Sequence, residues 1–472
     1  MSSRHQDNLA RIVVAAALIV VGVGCQGKVG SKEDPSPDSS ANPPADAGMT
    51  IDAPAAHDAM DASIADVSHP VDAPAPTTDA APAPPAMLRM VFPISGATTA
   101  ATVTARGTTD GKNVAKVTVN GGAAASSDGF LTWKASVPLS SGDNAITAVL
   151  ERTDQSQVQV AATVTRAASD SAIKRGKLIT DAPFNLLGGS VDSKATAMYL
   201  ADANMDGVLR IDIATGDETW ATCSEHGNPC GAGPANGVPF SQPMDVAIDE
   251  ARQRAFVIDG PNVFAVDLTG KGGPTERTII SGPDVTDANY TPPTYPGRGS
   301  GPQAQQFGSM SYDPVANLIY AVDWGQGNND PVGFFTIDPE TGNRQVIANS
   351  AHGDLFRQMD VSTAKGAIYS TSAYQSTLTI VAIAGGARTT GPTITEPQAL
   401  AVSDALGAVF AVDKSGALVA FEGASLQSRT VAHLGMGPGL SVGGDLVFIY
   451  DGALGGVAAF DPQNGERIVV SR

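Results

Sequence analysis

The sequence predicts an all-β protein in which a small β-sandwich precedes a six-bladed β-propeller, and both follow a signal peptide and a disordered linker. Three observations predict this arrangement. A motif of two short apolar strands joined by a turn returns five or six times in the last two-thirds of the chain. Residues 88–167 alternate apolar and polar side chains with a period of two. Residues 1–87 contain a short apolar run and then a stretch rich in Asp, Ala and Pro.

Residues 1–25 have the composition of an export signal. Arg4 and Arg11 precede an unbroken run of apolar residues and glycines from Ile12 to Gly24. As a helix this run rises only about 20 Å, less than the roughly 30 Å of a bilayer core, so it is a signal peptide and not a membrane span.

The signal ends in Val23-Gly24-Cys25, which resembles a bacterial lipobox. The resemblance implies a lipid anchor on Cys25 and membrane attachment through it, and Gln26 in place of Asp implies sorting to the outer membrane. Gly22 departs from the pattern, because a larger aliphatic residue is usual there. Ordinary signal cleavage is the alternative. The predicted location is the cell envelope, on either the periplasmic or the exposed side of the outer membrane.

Residues 26–87 predict a disordered linker. They lack aromatic residues and have few large aliphatic ones, so they cannot bury enough surface to offset the entropy of ordering. Proline and like charge keep such a chain extended, which suits a spacer between membrane and folded part. The net charge of the whole chain is −19, and no cluster of Lys and Arg is present. Nucleic acid is therefore excluded as a partner.

Two further cysteines, Cys223 and Cys230, bracket six residues. An even pair in an exported protein is typical of a disulfide, and two unpaired thiols are the alternative. A zinc site is not expected, because His226 alone does not complete four ligands.

Residues 88–167 predict seven or so short strands of a β-sandwich. The alternating strand Val114 to Val119 runs into Asn120-Gly121, a hairpin turn signal. Trp133 is expected in the core. Further strands are predicted from Phe130 to Leu139, Asn144 to Val149 and Val158 to Val164.

Several short motifs in this unit resemble the Ig-like domains of bacterial secreted and surface proteins, including those appended to glucodextranase. They are Phe92-Pro93-x-x-Gly96, Arg106-Gly107-Thr108, the segment Val114 to Gly121, and Val137-Pro138-Leu139-x-x-Gly142-x-Asn144. The resemblance implies a spacer or adhesion module.

Residues 173–472 have the length of six blades of four strands each. The second repeat predicts strands at 243–248, 254–258, 262–266 and 276–280, and the third at 309–313, 318–322, 333–337 and 344–347. The stretch from Arg175 to Thr180 is predicted to pair with the last blade near Glu466 to Ser471 and so to add an edge strand. A seventh blade that begins there is the alternative.

The repeats resemble NHL-type and related six-bladed propellers, including the family of gluconolactonase and regucalcin. The resemblance is carried by Gly231-Ala-Gly233-Pro234, followed by Phe240-Ser-Gln-Pro243. In the enzymes of that family it implies a metal on the propeller axis, held by a Glu of the first blade together with Asn and Asp. Residues 183–189 contain no Glu where the family carries one, which argues against a lactonase.

An acid recurs at the end of the second strand of most repeats. A structural role is predicted, because Asp tolerates turns and caps them through its side chain. A ring of carboxylates that binds Ca²⁺ is the alternative, so no cofactor is predicted and calcium stays open. The recurrent acids are Asp206, Asp259, Asp323, Asp413 and Asp451.

A long insertion from Gly282 to Gln306 is the best candidate for a ligand site. Long loops in compact domains are often functional, and tyrosines give large contact area at low entropic cost. The predicted function is non-enzymatic binding of a protein or glycan by a monomer. A metal-dependent lactonase-like or lyase-like enzyme is the alternative. The candidate ligand-binding residues, expected on one face of the propeller, are Tyr290, Tyr295, Arg298, Trp324, His226 and His352.

Overall fold

A computed structural model describes residues 87–179, 185–223, 238–269, 277–286, 294–324, 333–349, 356–372, 376–434 and 439–472. These residues form β-strands, turns and two single-turn 3-10 helices, with no α-helix among them. Within the same ranges, no helix is long and apolar enough to cross a membrane. Residues Ala80–Arg472 belong to one compact unit. The predicted signal peptide and nearly all of the predicted linker lie outside the described residues.

Two sheets form a small β-sandwich at the start of this unit. One sheet has the order β1-β3-β6, and the other contains β2-β8-β7-β4-β5. Trp133 is 2% exposed in the core between them, as predicted. Asn120 and Gly121 have φ of 48° and 81°, the left-handed values that the predicted hairpin turn requires. The strands are β1 Leu88–Phe92, β2 Gly96–Thr98, β3 Thr102–Thr109, β4 Val114–Val119, β5 Gly122–Ala123, β6 Thr132–Pro138, β7 Gly142–Arg152 and β8 Gln157–Arg166.

Six four-stranded antiparallel blades follow, each built from four strands that are consecutive in the chain, and one hairpin is inserted between blades 2 and 3. Blade 1 contains β9 Leu186–Val191, β10 Ala197–Asp202, β11 Gly207–Asp212 and β12 Glu218–Cys223. Blade 2 contains β13 Pro243–Asp249, β14 Arg254–Asp259, β15 Asn262–Asp267 and β16 Arg277–Ser281. The hairpin β17 Val285–Thr286 and β18 Thr294–Tyr295 then precedes blade 3, which contains β19 Phe307–Asp313, β20 Leu318–Asp323, β21 Gly333–Ile337 and β22 Arg344–Asn349.

The remaining blades repeat the plan. Blade 4 contains β23 Phe356–Ser362, β24 Ala367–Ser372, β25 Thr377–Ala382 and β26 Arg388–Thr393. Blade 5 contains β27 Ala399–Ser403, β28 Ala408–Val412, β29 Ala417–Glu422 and β30 Gln427–His433. Blade 6 contains β31 Leu440–Gly443, β32 Leu446–Asp451, β33 Gly456–Phe460 and β34 Arg467–Ser471. We call the four strands of each blade a, b, c and d in chain order.

The blades close into a ring through their a strands. Each a strand contacts the a strand of the next blade, and β31 of blade 6 contacts β9 of blade 1. Apolar clusters fill the space between neighbouring blades, such as the one that joins Phe256 of blade 2 to Phe307 and Phe335 of blade 3. The propeller therefore has six blades, and the predicted strands of blades 2 and 3 agree closely with the observed ones.

The edge of the last blade differs from the prediction. Arg175 and Arg472 exchange two backbone hydrogen bonds of 3.1 and 3.0 Å, yet no strand forms over residues 175–179. Instead β2 of the sandwich pairs with β34, at Ala97 and Val469, and with β8 on its other side. Blade 6 and one sandwich sheet thus form a continuous nine-stranded sheet. Gly96 permits this, because a Cβ there would overlap Ile468 and the carbonyl of Val469.

The sandwich is fastened to blade 6 by polar contacts as well. Arg106 Nε lies 2.7 Å from Asp461 Oδ2, and the side chains are 11% and 0% exposed. The backbone N–H and the hydroxyl of Thr104 each donate a 2.7 Å hydrogen bond to the Glu466 carboxylate. One apolar cluster also contains residues of both parts. The sandwich is therefore a fixed part of the propeller body rather than a module on a free linker.

Candidate functional site

A cavity of about 290 Å³ lies on the propeller axis and is lined by the a strands of all six blades. Each blade contributes backbone and side chains from the middle of its a strand, because the strands run side by side around the axis. Polar side chains are mixed with apolar ones in the lining. Those that matter for its chemistry are Asp245, Asp360, Ser311, Gln358, Ser441 and Glu250.

Asp245 links blade 2 to blade 3. Its Oδ2 accepts a 2.8 Å hydrogen bond from the Ser309 hydroxyl and a 3.0 Å bond from the Met310 N–H. Its Oδ1 accepts a 2.9 Å bond from the Val246 N–H. Gly188 of blade 1 packs against this carboxylate so closely that a Cβ there would overlap it. Asp245 is only 5% exposed, so its carboxyl group is a built-in part of the inner ring.

Asp360 links blade 4 to the blades on both sides. Its Oδ1 accepts hydrogen bonds of 2.7 Å from the Ser311 hydroxyl of blade 3 and 2.8 Å from its neighbour Val361. Its Oδ2 accepts a 2.7 Å bond from the Val402 N–H of blade 5. Unlike Asp245, Asp360 is partly exposed to the cavity.

Burial controls the ionisation of both acids. Loss of solvent raises the pKa of Asp245 to about 7, and the nearby charge of Asp360 raises this pKa as well, although three hydrogen bonds oppose the change. Loss of solvent also raises the pKa of Asp360 above its usual value. The axis therefore carries two acids whose pKa values burial raises and which attract hydrogen-bond donors or a positive charge.

The cavity reaches the surface at the end of the ring formed by the turns between strands a and b. Ser193, Glu250 and Pro314 of these turns line it and are exposed. Glu250 accepts hydrogen bonds from the backbone N–H and the hydroxyl of Ser193, which joins the turns of blades 2 and 1. The sandwich contacts the corresponding turn of blade 6 at Asp445. The mouth of the cavity and the sandwich therefore share one face of the propeller.

Some predicted ligand-binding residues have described surroundings. Trp324 is partly buried and packs on the apolar cluster between blades 2 and 3, and its backbone N–H donates a 2.7 Å bond to Gln306 O. Arg298 pairs with Gly282 at the base of the inserted hairpin and donates a 2.9 Å bond to Glu340 O. Glu340 and Trp324 lie at opposite ends of β21, so Arg298 and Trp324 do not converge. The backbone of Tyr295 forms part of β18. Outside the described residues lie Cys25, Cys230, Tyr290, His226 and His352.

Cys223 ends the outer strand of blade 1 and is 8% exposed. Because its expected partner lies outside the described residues, the disulfide stays a prediction.

The recurrent acids accept hydrogen bonds from two different segments: the b–c turn that follows the acid, or the residues that lead into strand a. Asp413 and Asp451 cap their own b–c turns, as predicted, by accepting bonds from residues two to four positions ahead. Asp259 instead binds Ser241 and Gln242, and Asp323 binds Gln305 and Gln306. These partners lie just before strand a, so the prediction of a turn cap was wrong for Asp259, whereas the turn that follows Asp323 lies outside the described residues. The two-residue turn after Asp259 needs no side-chain cap. The Asp259 carboxylate can therefore bind the segment that leads into strand a of the same blade.

Several d strands begin with an arginine whose role was not predicted from the sequence. Arg277 is 1% exposed and donates bonds of 2.8 Å to Val238 O and 2.6 Å to Cys223 O of blade 1. Arg344 in blade 3 similarly donates a 2.8 Å bond to the Ser281 hydroxyl of blade 2. Each arginine thus ties its blade to the preceding one. The available signal was the recurrence of Arg at Arg277, Arg344, Arg388 and Arg467.

Among the described residues, no group of three or more His, Cys, Asp or Glu side chains is placed to hold a metal ion. No protein family matches the sequence, and no curated protein sequence matches it. The resemblances to Ig-like domains and to gluconolactonase-like propellers therefore stay predictions.

Several solved structures resemble the chain distantly. The nidogen–laminin complex shares 15% identity over 61% of this chain and 93% of that one, with a TM-score of 0.41. A protein of unknown function from Bacteroides thetaiotaomicron shares 15% identity over 78% and 96%, with a TM-score of 0.41. An auxiliary nutrient binding protein from the same organism shares 12% identity over 81% and 96%, with a TM-score of 0.42.

Proposed function

We propose that this protein is a lipid-anchored component of a bacterial cell envelope whose propeller binds a protein or glycan ligand without transforming it. The observation that carries the proposal is the axial cavity, which is open at one face and lined by every blade. A cavity of about 290 Å³ is near the lower limit for small-ligand sites, so it accepts one protruding group of a larger ligand. Its acids favour a group that donates hydrogen bonds or carries positive charge.

The hydrogen bonds of the two acids support a binding role for the cavity. Asp245 and Asp360 each accept three hydrogen bonds, and most of these come from neighbouring blades. An ionised carboxylate offers about four acceptor positions, so each acid keeps capacity for one more hydrogen bond from a group that enters the cavity. Carboxylates engaged in this way hold the ring together and give the cavity its charge.

The binding proposal is tested at the mouth of the cavity. Full-length protein, purified in detergent, is screened against cell-envelope glycans and against envelope proteins by crosslinking. Glu250→Lys reverses a charge at the mouth, and we expect it to weaken binding of any ligand found by about tenfold. The matched control is Glu422→Lys, since Glu422 is also exposed and lies at the end of β29 in blade 5. A ligand that binds both variants equally well contradicts the use of this cavity.

The anchor and the enzyme alternative are tested separately. Cys25→Ser should remove lipid from the protein and release it from the membrane fraction, as mass spectrometry and fractionation would show. A ligand that binds only the folded state raises the melting temperature. Because the binding proposal includes no calcium site, the melting temperature should be the same in saturating Ca²⁺ as in EDTA. A clear rise with Ca²⁺ would favour the metal-dependent enzyme instead.

A further inference from the structure

A second cavity lies where the sandwich meets the propeller, and its volume of about 580 Å³ is larger than that of the axial one. We call it the junction groove. Its floor is the outer face of the paired strands β3 and β6, and its walls come from turns of blades 5 and 6. The polar residues that line it include Arg106, Thr108, Thr132, Lys134, Asp445 and Gln463.

The strand register places polar side chains together on the floor. Arg106 pairs with Lys134, and Thr108 pairs with Thr132. Side chains two residues apart on a strand point to the same face. Since Thr104 and Arg106 reach the propeller, Thr108 faces the same side, and the partners on β6 do as well.

One lysine of the groove has no ion pair, although acids are also close, since the Asp128 carboxylate accepts hydrogen bonds from the groove residues Ser126 and Thr132. Asp461 pairs with Arg106, and Arg89 lies 3.7 Å from the Asp445 carboxylate. Lys134 is exposed and makes no ion pair within the described part of the chain. Its ammonium group is therefore available to an anionic ligand.

Hydrogen-bonding groups in the groove are also available to a ligand. Over the described ranges, the side chains of Thr108, Ser127 and Gln463 make no hydrogen bond, although each lines the groove. Leu406 is the apolar side chain of the wall. Protein partners rely on buried aromatic and aliphatic anchors, which a surface of this composition does not offer. Hydroxyl and amide groups with one cation instead suit a polyhydroxylated ligand that carries a carboxylate.

We propose that the junction groove binds an acidic oligosaccharide, with Lys134 on a sugar carboxylate and Thr108, Ser127 and Gln463 on hydroxyl groups. A volume of about 580 Å³ falls within the range of ligand sites. The groove is separate from the axial cavity, so this inference does not depend on the function proposed above. Sandwich and propeller both contribute residues, so the site exists only because the two are fixed together.

The test is calorimetric titration of full-length protein in detergent with trigalacturonate and with neutral galactotriose. We expect trigalacturonate to bind about tenfold more tightly, because a carboxylate pairs with Lys134. Lys134→Gln should abolish this difference and leave galactotriose binding unchanged, whereas Thr108→Val should weaken both ligands.

The matched control is Lys116→Gln. Lys116 is an exposed lysine of β4, on the other sheet, and pairs with Glu151 at 3.1 Å. The Lys116→Gln variant should bind trigalacturonate and galactotriose as tightly as the natural protein does. Absence of trigalacturonate binding, equal affinity for the two sugars, or an equal effect of the two lysine variants would each overturn the inference. Glu250→Lys should leave trigalacturonate binding intact, which separates this site from the axial one.

Discussion

The Arg106–Asp461 ion pair should be one of the strongest single links between the sandwich and the propeller. Removal of one partner from a buried pair typically costs about 3–5 kcal/mol, because the other charge stays buried and unpaired. Asp461 is completely buried but keeps a 2.9 Å bond from the Gln463 N–H. Arg106 also donates a 3.2 Å bond to Asp445 O. We therefore expect Arg106→Ala to lower the free energy of unfolding by about 3 kcal/mol, near the lower end of that range.

Urea unfolding measures this cost with two probes. Fluorescence of Trp133, measured with Trp220 and Trp324 replaced by Phe in every variant, reports on the sandwich core, and far-UV circular dichroism reports on all strands. The two should coincide in one transition in the natural protein, because the sandwich and blade 6 share a sheet and a core. A double-mutant cycle with Asp461→Asn isolates the coupling, which should be about 2 kcal/mol.

Arg89→Ala is the control for this experiment. The Arg89 side chain is 50% exposed and lies 3.7 Å from Asp445, so its removal should cost less than about 1 kcal/mol. Equal losses for the two arginine variants would refute the assignment of the docking energy to the buried pair. A loss below about 1 kcal/mol for Arg106→Ala would do the same.

Two further predictions concern the axial ring. Because the folded protein holds the Asp245 proton more tightly than the unfolded chain, the stability that this group contributes is greatest below its unfolded pKa of 3.8 and falls as pH rises to about 7. The loss amounts to at most about 4 kcal/mol. Between pH 4 and pH 8 the natural protein should therefore lose stability relative to the Asp245→Asn variant. If urea titrations show the same stability difference between the two proteins at both pH values, the buried acid is contradicted. Gly188→Ala should lower the free energy of unfolding by about 1–3 kcal/mol, because the added methyl group overlaps the Asp245 carboxylate. The control is Gly122→Ala, whose methyl group meets no atom closer than 3.5 Å and should leave thermal unfolding unchanged.

Local patterns determined where strands begin and end. Strand b of blade 2 was predicted at 254–258 and is observed at Arg254–Asp259, because the alternation of apolar residues and the turn signals act within a few residues. The left-handed turn at Asn120-Gly121 follows from the same kind of local preference. Repetition of one such unit predicted the propeller, since a single four-stranded sheet with two apolar faces must stack on others.

Contacts between distant segments were decided by the tertiary structure alone. Thr104 and Glu466 are 362 residues apart, and nothing near either residue indicates that β2 continues blade 6. Asp245 stands in an ordinary strand a, and only closure of the ring brings Ser309 to its carboxylate and the charge of Asp360 near it. A repeat motif predicts what each blade is, because it records local backbone and packing preferences. The axial acids and the junction groove depend on which surfaces meet when the blades and the sandwich assemble, and that information is spread over the whole chain.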